Sequence, residues 1–274
     1  MKQVLQKDCF FLKSKDPLDN SREYSLYKDE TTGIIWTDIE HDQDHSKFYN
    51  SSNYIPHSNK KSLLGILYSF AQKLMFVYKL NIIKKHLQID SKILDYGSGD
   101  SNFAKYLRIK KINIQTYDPL YSLIKNKKPQ AQIIDNQVDM LMMWHVLEHI
   151  PNVFTELPKI RQLIKKKGFL VVAVPNINSL DAKFYNKYWA GLDVPRHLYH
   201  FNHTSLIQFL KREGFSLITK HPLPLDSYYV SMLSEKNKRS LFSFVNAIII
   251  GSISNFFALF STNFSSSVYI FRND

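Results

Sequence analysis

The stretch "KILDYGSGDSNF", residues 92–103, decides the fold. A short apolar run ends in Asp95, a turn follows through Gly97, Ser98 and Gly99, and the residues after it open a helix. Glycines at such a junction allow a tight bend and a close approach of backbone to ligand. The third glycine of a dinucleotide fingerprint is missing, because position 102 is Asn102; a partial fingerprint alone is weak. Charge says more. Asp95 ends the strand, Asp100 sits in the turn, and Asp118 ends the next strand, "IQTYDP". A diphosphate would meet Asp95 and Asp100 with like charge, whereas a nucleoside carrying a cation would be attracted. Asp118 lies where an acid binds ribose hydroxyls. Asp95 suits the ligand's ammonium side, and Asp100 reads as a helix N-cap.

Outward from the turn, strands and helices alternate. "SKILDYG", "INIQTYDP", "QAQIID", "VDMLMMWHV", "GFLVVAVPN", "FSLITKHP" and "SSVYIFR" read as strands. "SNFAKYLRIK", "NVFTELPKIRQLIKKK" and "HTSLIQFLKREG" read as helices, the last two ended by Gly168 and Gly214. Such alternation implies βαβ units, a parallel sheet, and a ligand beyond the C-terminal strand ends. Residues 61–88 carry apolar residues at helical spacing, with Ser62 as a candidate N-cap. Residues 1–60 form an irregular segment with one hairpin near Gly33. The core is expected over 61–235, an apolar helical insertion or cap over 236–262, and the final strand over 263–274.

The 274 residues are 44% hydrophobic and 14% aromatic, which suits a globular chain with a sizeable core. Formal net charge is +12, but the lysines are dispersed. The two tight runs, "IKKIN" and "LIKKKGF", read as solvated element ends, so nucleic acid is not the expected partner. Cys9 is the single cysteine, which excludes an internal disulfide and a cysteine-rich metal site. The N-terminus lacks a secretory pattern. A cytoplasmic location follows as the expectation. Leu241–Phe260 has no charged residue, yet it carries Ser243, Asn246, Ser252, Ser254 and Asn255. That is polar for a bilayer span, so a buried or amphipathic cap is favoured, with membrane-surface contact through 241–260 as the other reading.

An adenosine ligand with a cationic tail and no phosphate has the chemistry of S-adenosylmethionine. With "ILDYGSGDSNF", "YDP", "VDMLMMWHVLEHIPN", "KKKGFLVVAVPN" and "WAGLDVPRHLYHFNHTSL" in view, residues 48–225 resemble the class I S-adenosylmethionine-dependent methyltransferases. The likeness is to the subfamily with the WHVLEHIPN and DVPRHLYHF motifs. It implies a Rossmann-like, seven-stranded, mostly parallel sheet with helices on both faces and an antiparallel last strand. It places Asp95, Gly97, Gly99, Asp118, Trp144 and His145 at the cofactor. Many relatives begin with two C-x-x-C pairs; here Leu12, Asp29 and Thr32 stand where three of those cysteines would fall. One thiolate cannot build a tetrahedral zinc site, so no metal is expected. Relatives also have a longer segment between "IID" and "VDM", which leaves an adenine role for Asp135 unsupported.

His145 and His149 flank "VLE"; their spacing with Glu148 could hold metal, but no third ligand is recognisable in sequence. His145 should face the methionine part of the cofactor, and His149 should serve as a structural hydrogen-bonding residue. "PRHLYHF" brings Arg196, His197, Tyr199 and His200 into a long aromatic-rich connection, expected to be an ordered lid. His145, His197 and His200 are the candidate catalytic residues; Tyr54, His57, Arg196 and Tyr199 are the candidate substrate contacts. The expected reaction is in-line transfer of methyl from a sulfonium to a small-molecule acceptor, lipid or quinone-like among the options. Alignment is the protein's main contribution, and a base is required only for some acceptors. A non-catalytic cofactor-binding scaffold, an RNA methyltransferase and a nicotinamide dehydrogenase are the competing readings.

Overall fold

The computed structural model describes residues 9–19, 21–39, 48, 63–118 and 138–274. The candidate residues Tyr54 and His57, the N-cap Ser62, Asp135 and the strand "QAQIID" lie outside them.

Among the described residues, a six-stranded sheet forms the centre of the molecule. Its members are β4 (Ile93–Tyr96), β5 (Ile114–Tyr117), β6 (Val138–Trp144), β7 (Ile164–Pro175), β9 (Phe215–Pro222) and β10 (Ser266–Asn273). They lie in the order β5-β4-β6-β7-β10-β9. The pairs β4–β5, β4–β6 and β6–β7 are parallel, and β10 runs antiparallel to both β7 and β9. The fold is therefore α/β with a mixed, mostly parallel sheet.

The continuous apolar run of β6 has the expected cause. Leu141 and Met143 enter the core on one face of the sheet, and Met140 and Met142 enter the core on the other. In β7, Leu170, Val172 and Val174 alternate in the same way with Val171 and Ala173. A strand covered on both faces has no polar side, so period-two alternation disappears from its sequence. The helix α1 (Leu63–Ile83) supplies Phe76, Ile82 and Ile83 to the second core, where Phe76 packs on Phe103 at 5.5 Å between ring centroids. Phe103 belongs to α2 (Asn102–Ile109). The first core is covered by α3 (Val153–Gln162) and α5 (His203–Arg212), the latter started by a capping box between Asn202 and Ser205. The run Lys165–Lys167 belongs to the start of β7 and not to the end of a helix, because α3 stops at Gln162 and Ile164 already pairs with Val138.

Within residues 1–60, the described strands depart from the irregular reading. Strands β1 (Cys9–Lys15), β2 (Glu23–Lys28) and β3 (Ile35–Thr37) form an antiparallel meander, and β8 (Tyr199–His200) pairs with β3 to complete a four-stranded sheet. The β2–β3 connection turns through Gly33 at φ +68°, as the sequence predicts. In that turn Asp29 Oδ1 accepts from the Thr32 amide at 2.7 Å and from its hydroxyl at 2.8 Å. The pair that replaces one C-x-x-C thus ties its loop by buried hydrogen bonds. The sequence pattern missed this sheet because its last strand comes from the far end of the chain.

Candidate active site

The chain order reverses between β5 and β6, on either side of β4, and ligands on open α/β sheets sit outside the strand ends at such a point. There the two glycines serve different ends. A Cβ on Gly97 would meet Val146 Cγ2 at 2.4 Å, so this glycine admits the β6 loop. Gly99 has φ +50° and nothing within 4 Å of a would-be Cβ, so its face is open. The Gly99 amide donates to Asp118 Oδ2 at 2.7 Å, which fixes the β5 carboxylate against the turn. The helix cap is Ser101, at φ +56°, and not Asp100.

Asp95 is buried, and burial pushes its carboxyl up to about 7; the neighbouring Asp118 charge adds to the rise and Lys79 opposes it. Lys79, from α1, brings its ammonium over the Trp144 ring at 4.2 Å from the centroid. Burial lowers the Lys79 pKa, while Asp226 and Asp95 favour its charge. Asp226 arrives in the first turn of α6 (Pro224–Lys238). The Lys79 ammonium thus rests on an indole face in the field of two acids, an environment that favours positive charge.

The second cluster lies along the β6 loop. His145 sits between two carboxylates, with Nδ1 3.4 Å from Glu148 Oε1 and Nε2 3.2 Å from Asp226 Oδ2. Burial opposes its charge, but the Asp226 and Glu148 carboxylates on either side outweigh that and raise its pKa to about 9. His145 is thus held as an imidazolium at neutral pH and is not a free base there. Its folded pKa lies above its unfolded one, so its stabilisation is complete below about 6.5 and lost as pH climbs through about 9. Thermal unfolding followed across that window should show the midpoint falling, and His145→Asn should remove that part of the slope; an unchanged slope would contradict this pairing.

Glu148 is buried, and neither of its oxygens has a hydrogen-bond partner of good geometry among the described residues, which leaves it bound by charge. Burial would raise its pKa, but His145, His197 and His149 hold it low. His149 Nδ1 lies 3.0 Å from the Arg196 carbonyl and His197 Nδ1 lies 2.8 Å from that of Gly191, so both rings turn Nε2 away from these carbonyls. Burial, then the His197 charge, lowers His149 to about 4, which keeps it neutral. Glu148, His149 and His197 each offer a donor atom, all within 4.8 Å of one another. This is the third ligand that sequence spacing did not reveal. The His145 imidazolium already balances the carboxylate, so a resident cation is not required for charge.

The expected lid is ordered and packed. Trp189 is buried and donates Nε1–H at 2.8 Å to Asp181 Oδ2 in the short helix α4 (Leu180–Tyr185). The Thr37 hydroxyl donates to the His197 carbonyl at 2.7 Å and lies 3.1 Å from His200 Nε2. The Leu198 amide donates to the Glu148 carbonyl at 2.8 Å. The N-terminal sheet, lid and β6 loop are therefore joined by hydrogen bonds. His200 is buried, and burial, then the His197 charge, depresses it to about 3. Tyr199 is half-buried against Phe154. Arg196 was a candidate substrate contact, but it is 1% exposed and grips Asp193 through Nε and Nη2 and Asp16 through Nη2. Its place is in the frame of the lid. The structure thus brings Asp95, Gly97, Gly99, Asp118, Trp144 and His145 to the C-terminal ends of β4, β5 and β6, with His197 and His200 behind the β6 loop. Lys79 and Asp226 were missed: a lone lysine in an apolar helix and an acid after a proline carry no recognisable spacing.

A mostly parallel sheet whose chain order reverses beside β4, with Asp95 and Asp118 at neighbouring strand ends, is a Rossmann-like arrangement. The sequence profile of the methyltransferase-domain family matches residues 69–220. The chain belongs to that family. An uncharacterized protein of Methanocaldococcus jannaschii is 32% identical over 142 residues, a match covering 45% of this chain and 62% of that protein, less than two thirds of its length. Among solved structures, a SAM-dependent methyltransferase from Archaeoglobus fulgidus is 17% identical, with TM-score 0.46, over 77% of this chain and 100% of that one. The 1,6-didemethyltoxoflavin-N1-methyltransferase of Burkholderia thailandensis is 13% identical, with TM-score 0.47, over 91% and 95%.

Proposed function

We propose that this chain transfers a methyl group from S-adenosylmethionine to a small-molecule acceptor. The observation that carries the reading is the Asp95, Lys79, Trp144 and Asp226 nest beside the open face of Gly99. The methionine head of the cofactor is a zwitterion next to a sulfonium. Asp95 matches its ammonium, Lys79 its carboxylate, and Trp144 offers a face suited to a cation; Asp118 is placed for ribose hydroxyls. When bound, the cofactor supplies an electrophilic methyl on a good leaving group. The chain's residues then bind and orient, and the packed lid excludes water. His145, as an imidazolium, positions the β6 loop between Glu148 and Asp226. Proton acceptance, where an acceptor molecule needs it, falls to His197 in the lid and not to His200, whose imidazole burial holds at about 3. A lipid-soluble acceptor agrees with the apolar helix that follows α6.

The test has two arms. Calorimetry with S-adenosylhomocysteine is expected to show one site, weakened by about tenfold or more in Lys79→Met, the loss of one charge-assisted hydrogen bond. Incubation with methyl-labelled cofactor and cell extract is expected to place label in the low-molecular-weight fraction. Binding without any labelled product would favour the scaffold reading, and label in RNA would overturn the acceptor class.

A further inference from the structure

We propose that the helix α7 (Ser243–Ser261) and the basic crevice at its N-terminal approach form a docking surface for an anionic lipid bilayer, with the helix lying in the interface. The inference stands on the outer surface alone and does not depend on methyl transfer.

The helix inverts the usual arrangement. Its inward stripe is Ala247, Gly251, Ser254 and Ala258, all buried. Its outward face carries Ile248, Ile249, Phe256, Phe257 and Phe260, all exposed, and Leu241 just before it is 94% exposed. A helix in water buries its large apolar side chains and turns small or polar ones outward. Here small residues allow close packing on α6, where a Cβ on Gly251 would meet Tyr228 at 2.8 Å. The bulky side chains are left facing out in a contiguous band, the mark of an interaction site. Only 22% of the apolar window is buried, so the helix is covered along its inner stripe and left open along its outer face.

By length and composition this is the one helix among the described residues that could cross a membrane. Topology argues against crossing. Its N-terminal side follows α6, whose Asp226 pairs with His145 after β6, and its C-terminal side leads into β10, which pairs with β7 and β9 inside the central sheet. A single crossing would put β10 across the bilayer from its partners. The inner face is also tied down: Ser254 donates to the buried Asp181 at 2.7 Å, and Asn255 Nδ2 donates to the Pro224 carbonyl at 2.9 Å. A helix held by its polar inner face and apolar outside lies on a bilayer.

Charge decides the occupant. A crevice of about 340 Å³ opens where α6 ends, lined by Lys13, Lys15, Lys187, Lys238 and Arg239 against the single acid Glu23. Arg239 is followed within three residues by the exposed Leu241 and Phe242. Cations beside an inserting apolar band complement lipid phosphates above acyl chains.

The test is flotation of the full chain, without cofactor or acceptor, on vesicles of phosphatidylcholine alone or mixed with phosphatidylglycerol. Binding to the mixed vesicles is expected to exceed binding to neutral ones by about tenfold or more, and to fall with salt. Lys187→Gln with Lys238→Gln should bring it down to the neutral level. Ile249→Glu with Phe256→Glu, both on the exposed face, should abolish binding to either vesicle while thermal unfolding and S-adenosylhomocysteine binding stay as in the parent. Failure of the parent to float with mixed vesicles overturns the proposal. So does equal binding to both vesicle types, undiminished binding of the glutamate variant, or a dimer by light scattering that this variant dissolves, since a second copy would then cover the face.

Discussion

Replacing Asp95 by asparagine is expected to weaken S-adenosylmethionine binding by roughly 10- to 100-fold, from the loss of a charge-assisted hydrogen bond in a buried site. The free protein gives a second, opposite sign. The Asp95 carboxyl is buried and its pKa is raised to about 7. Its folded pKa exceeds its unfolded one, so its contribution to stability is complete below about 3.8 and lost as pH rises through about 7. Asparagine removes that loss, so at pH 8 the variant should melt no lower than the parent while binding poorly. A cation binds only the ionised carboxylate. Parent affinity should therefore rise about tenfold per pH unit below the folded pKa and level off above it, whereas the variant stays flat. Calorimetry from pH 5 to pH 8 reads this, and a flat parent profile would remove Asp95 from the ligand's ammonium.

The largest expected effect on stability belongs to Arg196. Its guanidinium is 1% exposed and joins the buried Asp16 near β1 to Asp193 in the lid. Arg196→Met would leave two carboxylates facing each other without their cation. Breaking a buried pair from one side costs about 3–5 kcal/mol. Urea unfolding followed by tryptophan fluorescence should show a loss of that order, and adding Asp16→Asn should recover part of it. A loss below about 1 kcal/mol would mean that solvent reaches this pair, as it does for surface ion pairs. The N-terminal sheet and the lid should loosen together, because Thr37, Leu198 and Glu148 join them by hydrogen bonds.

The reading of individual residues divided along physical lines. Whatever rests on local chain chemistry was legible: the strand and glycine turn at 92–103, the doubly covered runs in β6 and β7, the hairpin at Gly33. Period, turn residues and continuous apolarity are set by neighbours a few positions away. The charges of Asp95 and Asp100, which disfavour a diphosphate, and the place of Asp118 on the next strand are likewise written in short windows of chain. Arg196 looked like a ligand contact because a charged residue in an aromatic loop reads as exposed; its two acids, one far along the chain, take it out of solvent.

By itself the sequence determined the alternation of strands and helices, the acid-lined turn and the family likeness, because each is written within short windows of chain. Only the tertiary structure decided that residues 9–37 make a sheet, that Lys79 and Asp226 meet at Trp144, that His145 is held charged between Glu148 and Asp226, and which way the helix at 243–261 turns its bulky face. Those outcomes depend on burial and on charges brought together from distant positions, and a charge's desolvation and partners exist only once the chain has folded.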